Sequence, residues 1–193
     1  MTDETKSDEL SGLRADARRN RDRVLKAATG HFASRGVNAS LDEIARLAGV
    51  GAGTLYRHFP SREALLAAAL QERQTDLRAQ AQAAREIENA DDALSAWLAA
   101  LQDYLRTFNG LPEPVLSALK DRSSPLALPC DVLVQITREF LDRAQQHGRA
   151  RPSVTADELF LSTLGVAWVL GRTGTGAAAA QGLNRILADG YRT

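Results

Sequence analysis

The sequence predicts an all-α protein, and three observations support that prediction. Alanine and leucine dominate, only 5% of the 193 residues are aromatic, and β-branched runs are almost absent, which favours helices over strands. Apolar residues recur at helical spacing along most of the chain. Several of these segments follow a residue that caps helices, such as Ser40, Ser61 or Thr155. We therefore expect about nine helices.

The charged residues divide the chain into three parts. Lys+Arg and Asp+Glu are equal in number, at 24 each. The net charge is nevertheless −3 over residues 1–13, +6 over residues 14–62 and −3 over residues 63–193. We expect a flexible polar tail over 1–17, a basic domain over 18–62 and a larger helical domain over 63–193. A basic amino-terminal domain on a mildly acidic body is the pattern that phosphate binding would produce.

The sequence lacks the motifs of the common enzyme classes. His31, His58 and His147 are dispersed, and neither G-x-S-x-G nor H-E-x-x-H occurs. The run Gly171–Gly176 lacks the lysine and hydroxyl residue of a phosphate-binding loop and follows no predicted strand, so we interpret it as a helix–helix connection. We expect no cofactor and no metal site.

Two further features concern the cellular compartment. Cys130 is the single cysteine, which excludes an internal disulfide or a cysteine-based zinc site and fits a reducing environment. No signal peptide is evident, and no apolar run approaches the roughly 20 residues that span a bilayer. We expect a cytoplasmic protein without a membrane partner.

The basic domain begins with a helix predicted over Arg18–Arg35 and closed by Gly36. Its apolar residues recur at helical spacing, while arginine and lysine cluster at its amino end. Each of these cations can be either a DNA-facing residue or part of a solvated face. His31 lies beside Phe32 in this helix, and we interpret it as structural rather than catalytic.

The stretch Ser40–Phe59 predicts two short helices joined by a tight turn. Ser40 and Glu43 form an S-x-x-E capping box, which starts the first helix at about Leu41. Gly49 suits the left-handed conformation that ends a helix. A second helix from Gly51 or Ala52 to His58 would direct Leu55 and Phe59 inward. Such a helix-turn-helix can place its second helix in the major groove of DNA, which is about 12 Å wide.

The residues LDEIARLAGVGAGTLYRHFPSREAL closely resemble the DNA-binding signature of TetR-family transcriptional regulators. In that signature an I-A-x-x-A-G-V turn leads to a G-T-L-Y-x-H-F recognition helix. The resemblance implies a three-helix DNA-binding domain followed by a larger ligand-binding and dimerisation domain. It also implies a ligand-responsive homodimer, in most cases a repressor, that binds a palindromic operator in double-stranded DNA.

The resemblance assigns roles to individual residues of the motif. Tyr56, His58 and Arg62, which stands where the family usually has lysine, match phosphate-contacting positions. Other positions of the motif contact base edges or the nearby DNA backbone in the family, and the residues at these positions here are Gly51, Ala52, Gly53, Thr54 and Arg57. Ser40 matches a position that can touch phosphate, and its alternative role is that of a helix cap. Gly51 stands at a position that is often serine in the family, and Ala52 has only a methyl group, so few hydrogen bonds to base edges are available at the start of the helix. Contact with a thymine methyl or recognition of DNA shape would therefore carry more of the specificity.

The larger domain is predicted to contain several amphipathic helices. Ser61 caps a long helix to about Arg85, and further helices follow over Asp92–Phe108, Pro112–Lys120 and Asp131–His147. In TetR relatives the equivalents of the last three enclose the effector pocket. Their candidate lining residues here are Trp97, Leu101, Tyr104, Phe108, Leu116, Leu119 and Phe140. Each can equally be a core residue, and the lack of a charged anchor indicates a small, largely apolar effector.

The last two helices are apolar on more than one side. The first of them starts at Thr155, and the pattern continues beyond Ala177. A helix with two apolar sides needs a partner as well as its own body, and the resemblance implies a four-helix dimer interface. Its candidate residues are Leu164, Trp168, Leu183, Ile186 and Leu187.

Two other functions remain open at this point. One is an enzyme, against which the missing motifs argue. The other is a helix-turn-helix protein that binds DNA without an effector and has a packed body. A cavity in the body would distinguish the effector-responsive regulator from this second alternative.

Overall fold

The computed structural model of the chain describes residues 2–108, 110–172 and 176–193. Within these ranges the protein contains no strand beyond an isolated bridge between Ala150 and Arg192, which confirms the all-α prediction. The described residues form nine helices, α1 (Thr2–Arg35), α2 (Leu41–Leu47), α3 (Ala52–His58), α4 (Arg62–Arg85), α5 (Ala90–Arg106), α6 (Pro112–Lys120), α7 (Ala127–Gln146), α8 (Ala156–Arg172) and α9 (Ala177–Tyr191). No helix in this part of the chain is both long and apolar enough to cross a bilayer.

Helices α1, α2 and α3 form a small amino-terminal unit, which we call the head. The inner face of α1 presents Val24, Ala28 and Phe32, which are fully buried. Ile44 of α2 and Leu55 of α3 complete this small core, because α1 packs against both short helices. The head is therefore held together by a few apolar side chains from each helix.

Most predicted helix ends are confirmed. The Ser40 hydroxyl accepts a hydrogen bond from the Glu43 amide at 3.4 Å, and the Ser61 hydroxyl accepts one from the Ala64 amide at 3.1 Å. Thr155 forms a reciprocal capping box with Glu158, in which the Glu158 carboxylate accepts a bond of 2.9 Å from the Thr155 amide. Hydrogen bonds from the Thr155 amide and hydroxyl lower the pKa of Glu158.

Three predicted boundaries are wrong. Helix α1 extends back to Thr2 instead of beginning at Arg18, because the acidic segment contains no proline and several good helix formers. Helix α5 begins at Ala90, two residues before Asp92, because the Asn89 side chain caps the amides of Asp91 and Asp92. Helix α7 begins at Ala127, since Pro129 fits in a first turn, where no amide donor is needed.

The remaining helices form a larger unit, which we call the body. Helix α5 is central and packs against α4, α7 and α8. Ten of its 17 residues are buried, so it presents apolar side chains in several directions. Helix α4 runs from the head into this body and contacts both α1 and α5. Its axis therefore links the position of the head to the packing of the body.

The head and the body also meet at the corner between α5 and α6. The rings of Phe32 and Phe108 lie edge to face with centroids 6.1 Å apart. Gly110 has a φ of +89°, and a Cβ atom there would lie 3.0 Å from a methyl of Val37. A larger residue at position 110 would therefore crowd Val37 in the loop after α1, in addition to having an unfavourable φ.

Candidate nucleic-acid interface

The short helix α3 separates two kinds of side chain. Leu55 and Phe59 are buried at 1% and 3% exposure, as predicted for core residues. Tyr56 is 46% exposed, and the side chains of Ala52 and Arg57 are exposed as well. Gly51 and Gly53 are open to solvent, whereas Thr54 and His58 are half-buried. The helix therefore presents small and polar residues on one surface and is anchored by two apolar side chains on the other.

The turn before α3 is set by Gly49. Its φ of +64° is the left-handed conformation predicted for the end of α2, which is unfavourable for residues with a Cβ atom. The amide of Val50 then donates to the carbonyl of Ala45 at 3.0 Å, and the amide of Thr54 donates to the carbonyl of Gly51 at 2.9 Å. These bonds end one helix and begin the next within five residues.

Two arginines of α1 lie next to α3 and the turn that precedes it. The Arg21 guanidinium carbon is 5.4 Å from the centroid of the Phe59 ring, a cation–π distance. Arg23 Nη1 would be 3.7 Å from a Cβ atom at Gly49, so this guanidinium lies beside the turn. The sequence indicated a cationic cluster in α1 but gave no signal for these two contacts. They bring positive charge from α1 next to α3.

Arg62 has a structural task that sequence reasoning missed. This residue is half-buried, and its Nη1 donates to the backbone carbonyls of Val37, at 2.9 Å, and Ala39. These carbonyls belong to the loop between α1 and α2, which the guanidinium therefore holds in place. A phosphate contact by Arg62 stays a prediction, since it would have to use the remaining nitrogens. Ser40 likewise serves as a helix cap in the structure.

His31 occupies the interior of the head. It is 8% exposed, and its Nε2 lies 3.2 Å from a carboxylate oxygen of Glu43 without forming a hydrogen bond. This location between α1 and α2 agrees with the structural interpretation. Among the described residues, no three His, Cys, Asp or Glu side chains are grouped as a metal site.

The candidate effector residues of the body form a packed interior. The rings of Trp97 and Phe140 stack at 5.8 Å, and Trp97 Nε1 donates to the Thr137 hydroxyl at 3.0 Å. The Tyr104 hydroxyl donates to the Leu70 carbonyl at 3.0 Å, and burial raises its pKa. Leu101 is fully buried. The interior thus satisfies its own polar atoms.

Three other lining candidates lie nearer the edge of the body. Phe108 is buried against Phe32 of the head. On α6, Leu119 is half-buried and Leu116 is 43% exposed. Helix α6 directs Val115 and Ala118 inward, so Leu116 faces solvent, and its assignment to the effector lining stays a prediction.

The candidate interface residues of α8 and α9 fall into two groups. Ile186 is 70% exposed and Trp168 is 43% exposed, while Leu183 and Leu187 are half-buried. Leu164 is only 3% exposed, so it belongs to the core of its own chain and we remove it from the contact surface. An open groove of about 510 Å³ lies between α8 and α9 and is lined by Val166, Leu183, Ile186 and Leu187 among others. The predicted connection over Gly171–Gly176 falls largely on residues 173–175, which lie outside the described residues.

Comparison with known proteins identifies the two parts of the chain separately. The family model of bacterial regulatory proteins of the tetR family matches residues 24–69, which cover the head from the middle of α1. The model described as the carboxyl-terminal domain of SbtR-like transcriptional regulators matches residues 89–193. The second match alone spans more than half of the chain.

Individual proteins agree with these two matches. The uncharacterized HTH-type transcriptional regulator TtgW of Pseudomonas putida is 44% identical over 64 residues, which are 33% of this chain and 48% of that protein. The chain thus aligns with less than half of this relative's length. The structure of the TetR regulator SCO0520 from Streptomyces coelicolor is 30% identical with a TM-score of 0.58, and the match covers 89% of this chain and 98% of that one.

A TetR regulator from Chloroflexus aurantiacus has a TM-score of 0.61 at 21% identity, with 92% of this chain and 98% of that one covered, and this match supports the fold alone. The family and structure matches together disfavour the enzyme alternative, because members of this family are DNA-binding regulators. With the exposed face of α3 in the position of a recognition helix, the chain belongs to the TetR family of transcriptional regulators.

Proposed function

We propose that the protein is a cytoplasmic repressor that binds a palindromic operator as a homodimer and is released by a small, largely apolar effector. The observation that carries the DNA-binding part is that Leu55 of α3 and the following cap residue Phe59 are buried, whereas Tyr56 and Arg57 are exposed. A helix that is anchored on one side and carries small and polar residues on the other can enter the major groove.

Within this proposal the exposed residues have different tasks. Tyr56 and His58 bind phosphates and position the head, as does Arg62 through the nitrogens not used in the loop. Thr54 and Arg57, together with Gly51, Ala52 and Gly53, face base edges or the adjacent backbone. Phosphate contacts set affinity without reading sequence, whereas groove contacts determine which operator is chosen.

The homodimer is proposed to form through α8 and α9. Ile186 and Trp168 offer large apolar side chains at the surface, and Leu183 and Leu187 line the neighbouring groove. A second copy of these helices would cover this apolar surface. Two recognition helices would then reach half-sites separated by one helical turn, about 34–36 Å, or a multiple of it.

Release is proposed to follow from a shift between two arrangements of the body. An effector binding among Trp97, Leu101, Tyr104 and Phe140 would have to separate side chains that are in contact, such as the stacked rings of Trp97 and Phe140. It would therefore favour a more open arrangement, and α4 would carry the change to the head. A regulator that needs no effector is the alternative favoured by the closed packing of Trp97 against Phe140.

The DNA-binding part is tested by selecting bound fragments from a genomic DNA library and then comparing two variants. Tyr56→Ala should weaken binding to the selected operator and to random duplex by a similar factor, about tenfold, as the loss of one phosphate contact implies. Thr54→Val, nearly the same size, should change the selected sequence. An unchanged sequence preference in Thr54→Val would remove this residue from base reading.

The dimer is tested by placing a charge on the apolar surface of α9. Ile186→Asp should give monomers in light scattering and weaken operator binding, because a buried carboxylate at the interface is costly. Leu128→Asp changes an equally exposed leucine on α7, 74% exposed, and should leave the oligomeric state unchanged. An intact Ile186→Asp dimer would contradict the proposed interface.

A further inference from the structure

An open groove of about 420 Å³ lies between the head and the body, outside the interior discussed above. Helix α4 forms its floor through Ala64, Ala67 and Ala68. Residues from α1 and the end of α3 form one side, and the beginning of α7 forms the other. The groove therefore contacts the head, the connecting helix α4 and the beginning of α7 in the body.

The polar part of this groove is cationic. Arg21, His58 and Arg78 line it, and no Asp or Glu is among its described lining residues. In the described part of the chain none of the three takes part in an ion pair. Two guanidinium groups and an imidazole thus face one space without a carboxylate to balance them.

The protein orients these cations without neutralising them. Arg21 lies over the Phe59 ring, and Arg78 donates a long bond of 3.5 Å to the side-chain oxygen of Gln74. Gln74 is itself buried, at 8% exposure, and lies in the groove wall. Neutral partners of this kind hold a guanidinium while leaving its positive charge available to an anion.

The rest of the groove is apolar. The alanines of α4 make a shallow floor, and Leu128 beside them is 74% exposed. Pro125 and Pro129 flank this leucine and fix the backbone around it. An apolar strip next to cations without carboxylate partners matches a molecule that has a carboxylate at one end and a hydrocarbon or aromatic part behind it.

We propose that this groove is a binding site for an amphipathic organic anion. The carboxylate binds the cationic groups of Arg78, Arg21 and His58, and the apolar part lies along Ala64, Ala68 and Leu128. The groove volume is within the range of about 300–1,000 Å³ that is usual for small-molecule sites. This site is separate from the packed interior around Trp97.

The position of the groove gives the bound anion a regulatory consequence. His58 lines the groove and is also assigned to a DNA phosphate, so the anion and the operator compete for it. This consequence rests on the proposed DNA-binding function, whereas binding of the anion does not. The two statements can therefore fail independently.

Binding is tested on the full chain by isothermal titration calorimetry with decanoate. Decyltrimethylammonium has the same tail with the opposite charge, and acetate has the same charge without the tail. Decanoate should bind at least tenfold more tightly than either. Equal binding of the decyl cation, or no heat from decanoate at millimolar concentration, would overturn the proposal.

Variants locate the site. Arg78→Gln should weaken decanoate binding roughly tenfold, because it removes a charge-assisted hydrogen bond, whereas Arg73→Gln, an exposed position of the same helix outside the groove lining, should leave it unchanged. Leu128→Glu should abolish binding and Leu128→Lys should retain it, since both lose the same apolar surface and differ in charge. Wild-type affinity in both Arg78→Gln and Leu128→Glu would place the anion elsewhere and overturn the assignment.

The regulatory consequence is tested by fluorescence anisotropy with a labelled operator. Saturating decanoate should lower operator affinity of the wild type at least fivefold and leave Leu128→Glu unaffected. If the chain binds no operator at all, the proposed function fails while the calorimetric result stands. If operator binding is unaffected by decanoate, competition at His58 is contradicted.

Discussion

Helices α3 and α5 use the same amphipathic pattern for opposite purposes. Helix α3 has seven residues and buries one of them, Leu55, with Phe59 following as its cap. Helix α5 has 17 residues and buries ten. In α3 a few apolar anchors hold a surface of small and polar side chains, whereas in α5 every large apolar side chain is buried against other helices.

This difference determines how directly each region reveals its function. An exposed side chain on α3, such as Tyr56 or Arg57, has few contacts within the chain, so its residue type reflects what it binds. An aromatic residue on α5, such as Trp97, is already explained by the core that it fills. Substitutions should therefore alter DNA binding in the head and stability in the body.

The largest effect that would sharpen this comparison is expected at Trp97. Replacing this fully buried ring with alanine should lower the free energy of unfolding by about 3–5 kcal/mol, because it leaves a cavity beside Phe140 and breaks the bond to Thr137. Urea denaturation measures this loss. Trp97→Phe should cost less, since most of the stacked surface remains.

The same experiment separates the core interpretation from the effector interpretation. A ring that lines an effector cavity packs on one side only, so its truncation removes fewer contacts. A loss below about 1 kcal/mol in Trp97→Ala would therefore contradict a packed interior. It would also favour a body with space for a ligand near α5 and α7.

A smaller loss of stability is expected at Arg62, which has both a structural contact in the head and a predicted DNA contact. Arg62→Ala should lower the free energy of unfolding by about 1–3 kcal/mol, because the carbonyls of Val37 and Ala39 lose a charged donor. It should also weaken binding to any duplex, because the loop before α2 becomes less ordered. Urea denaturation and fluorescence anisotropy measure the two effects.

Arg62→Lys provides the matched control. Lysine keeps the positive charge that a phosphate requires, but a single ammonium group is a poorer match for two carbonyls. The lysine variant should bind DNA better than the alanine variant while remaining less stable than the wild type. Unchanged stability in Arg62→Ala, together with weaker DNA binding, would leave phosphate contact as its only role.

The sequence predicted most of what depends on local interactions. The cap at Ser40, the turn at Gly49 and the start of α4 at Ser61 each follow from neighbouring residues, and the structure has all three. The start of α7 was missed, since Pro129 is compatible with both a loop and a first helical turn. Leu164 was assigned to the wrong surface because α8 is apolar on more than one side, and spacing alone cannot say which side meets the body.

Long-range contacts were beyond reach for a different reason. The bond from Arg62 to the Val37 carbonyl and the contact of Arg21 with Phe59 join residues that are 25 and 38 positions apart. An arginine at either position can have several roles, and the role it takes depends on how α1 and α4 pack against α2 and α3. The cationic groove beside Leu128 is of the same kind, since it collects residues from four separate helices.

The two glycines that flank Val50 provide the finest comparison. They lie in one turn, and substituting them should change the free energy of unfolding in opposite directions. Gly49 has a φ of +64°, so Gly49→Ala should lower the free energy of unfolding by about 1–2 kcal/mol. Gly51 has a φ of −72° and is the N-cap of α3 without a side-chain hydrogen bond, and a Cβ atom added there would have no heavy atom of another residue within 4 Å beyond its chain neighbours. Gly51→Ser should therefore raise the free energy of unfolding by a few tenths of a kcal/mol, because its hydroxyl can accept a bond from an amide of the first turn. Urea denaturation of both variants checks the signs, and a stabilising Gly49→Ala would show that the left-handed turn is not required for the head to fold.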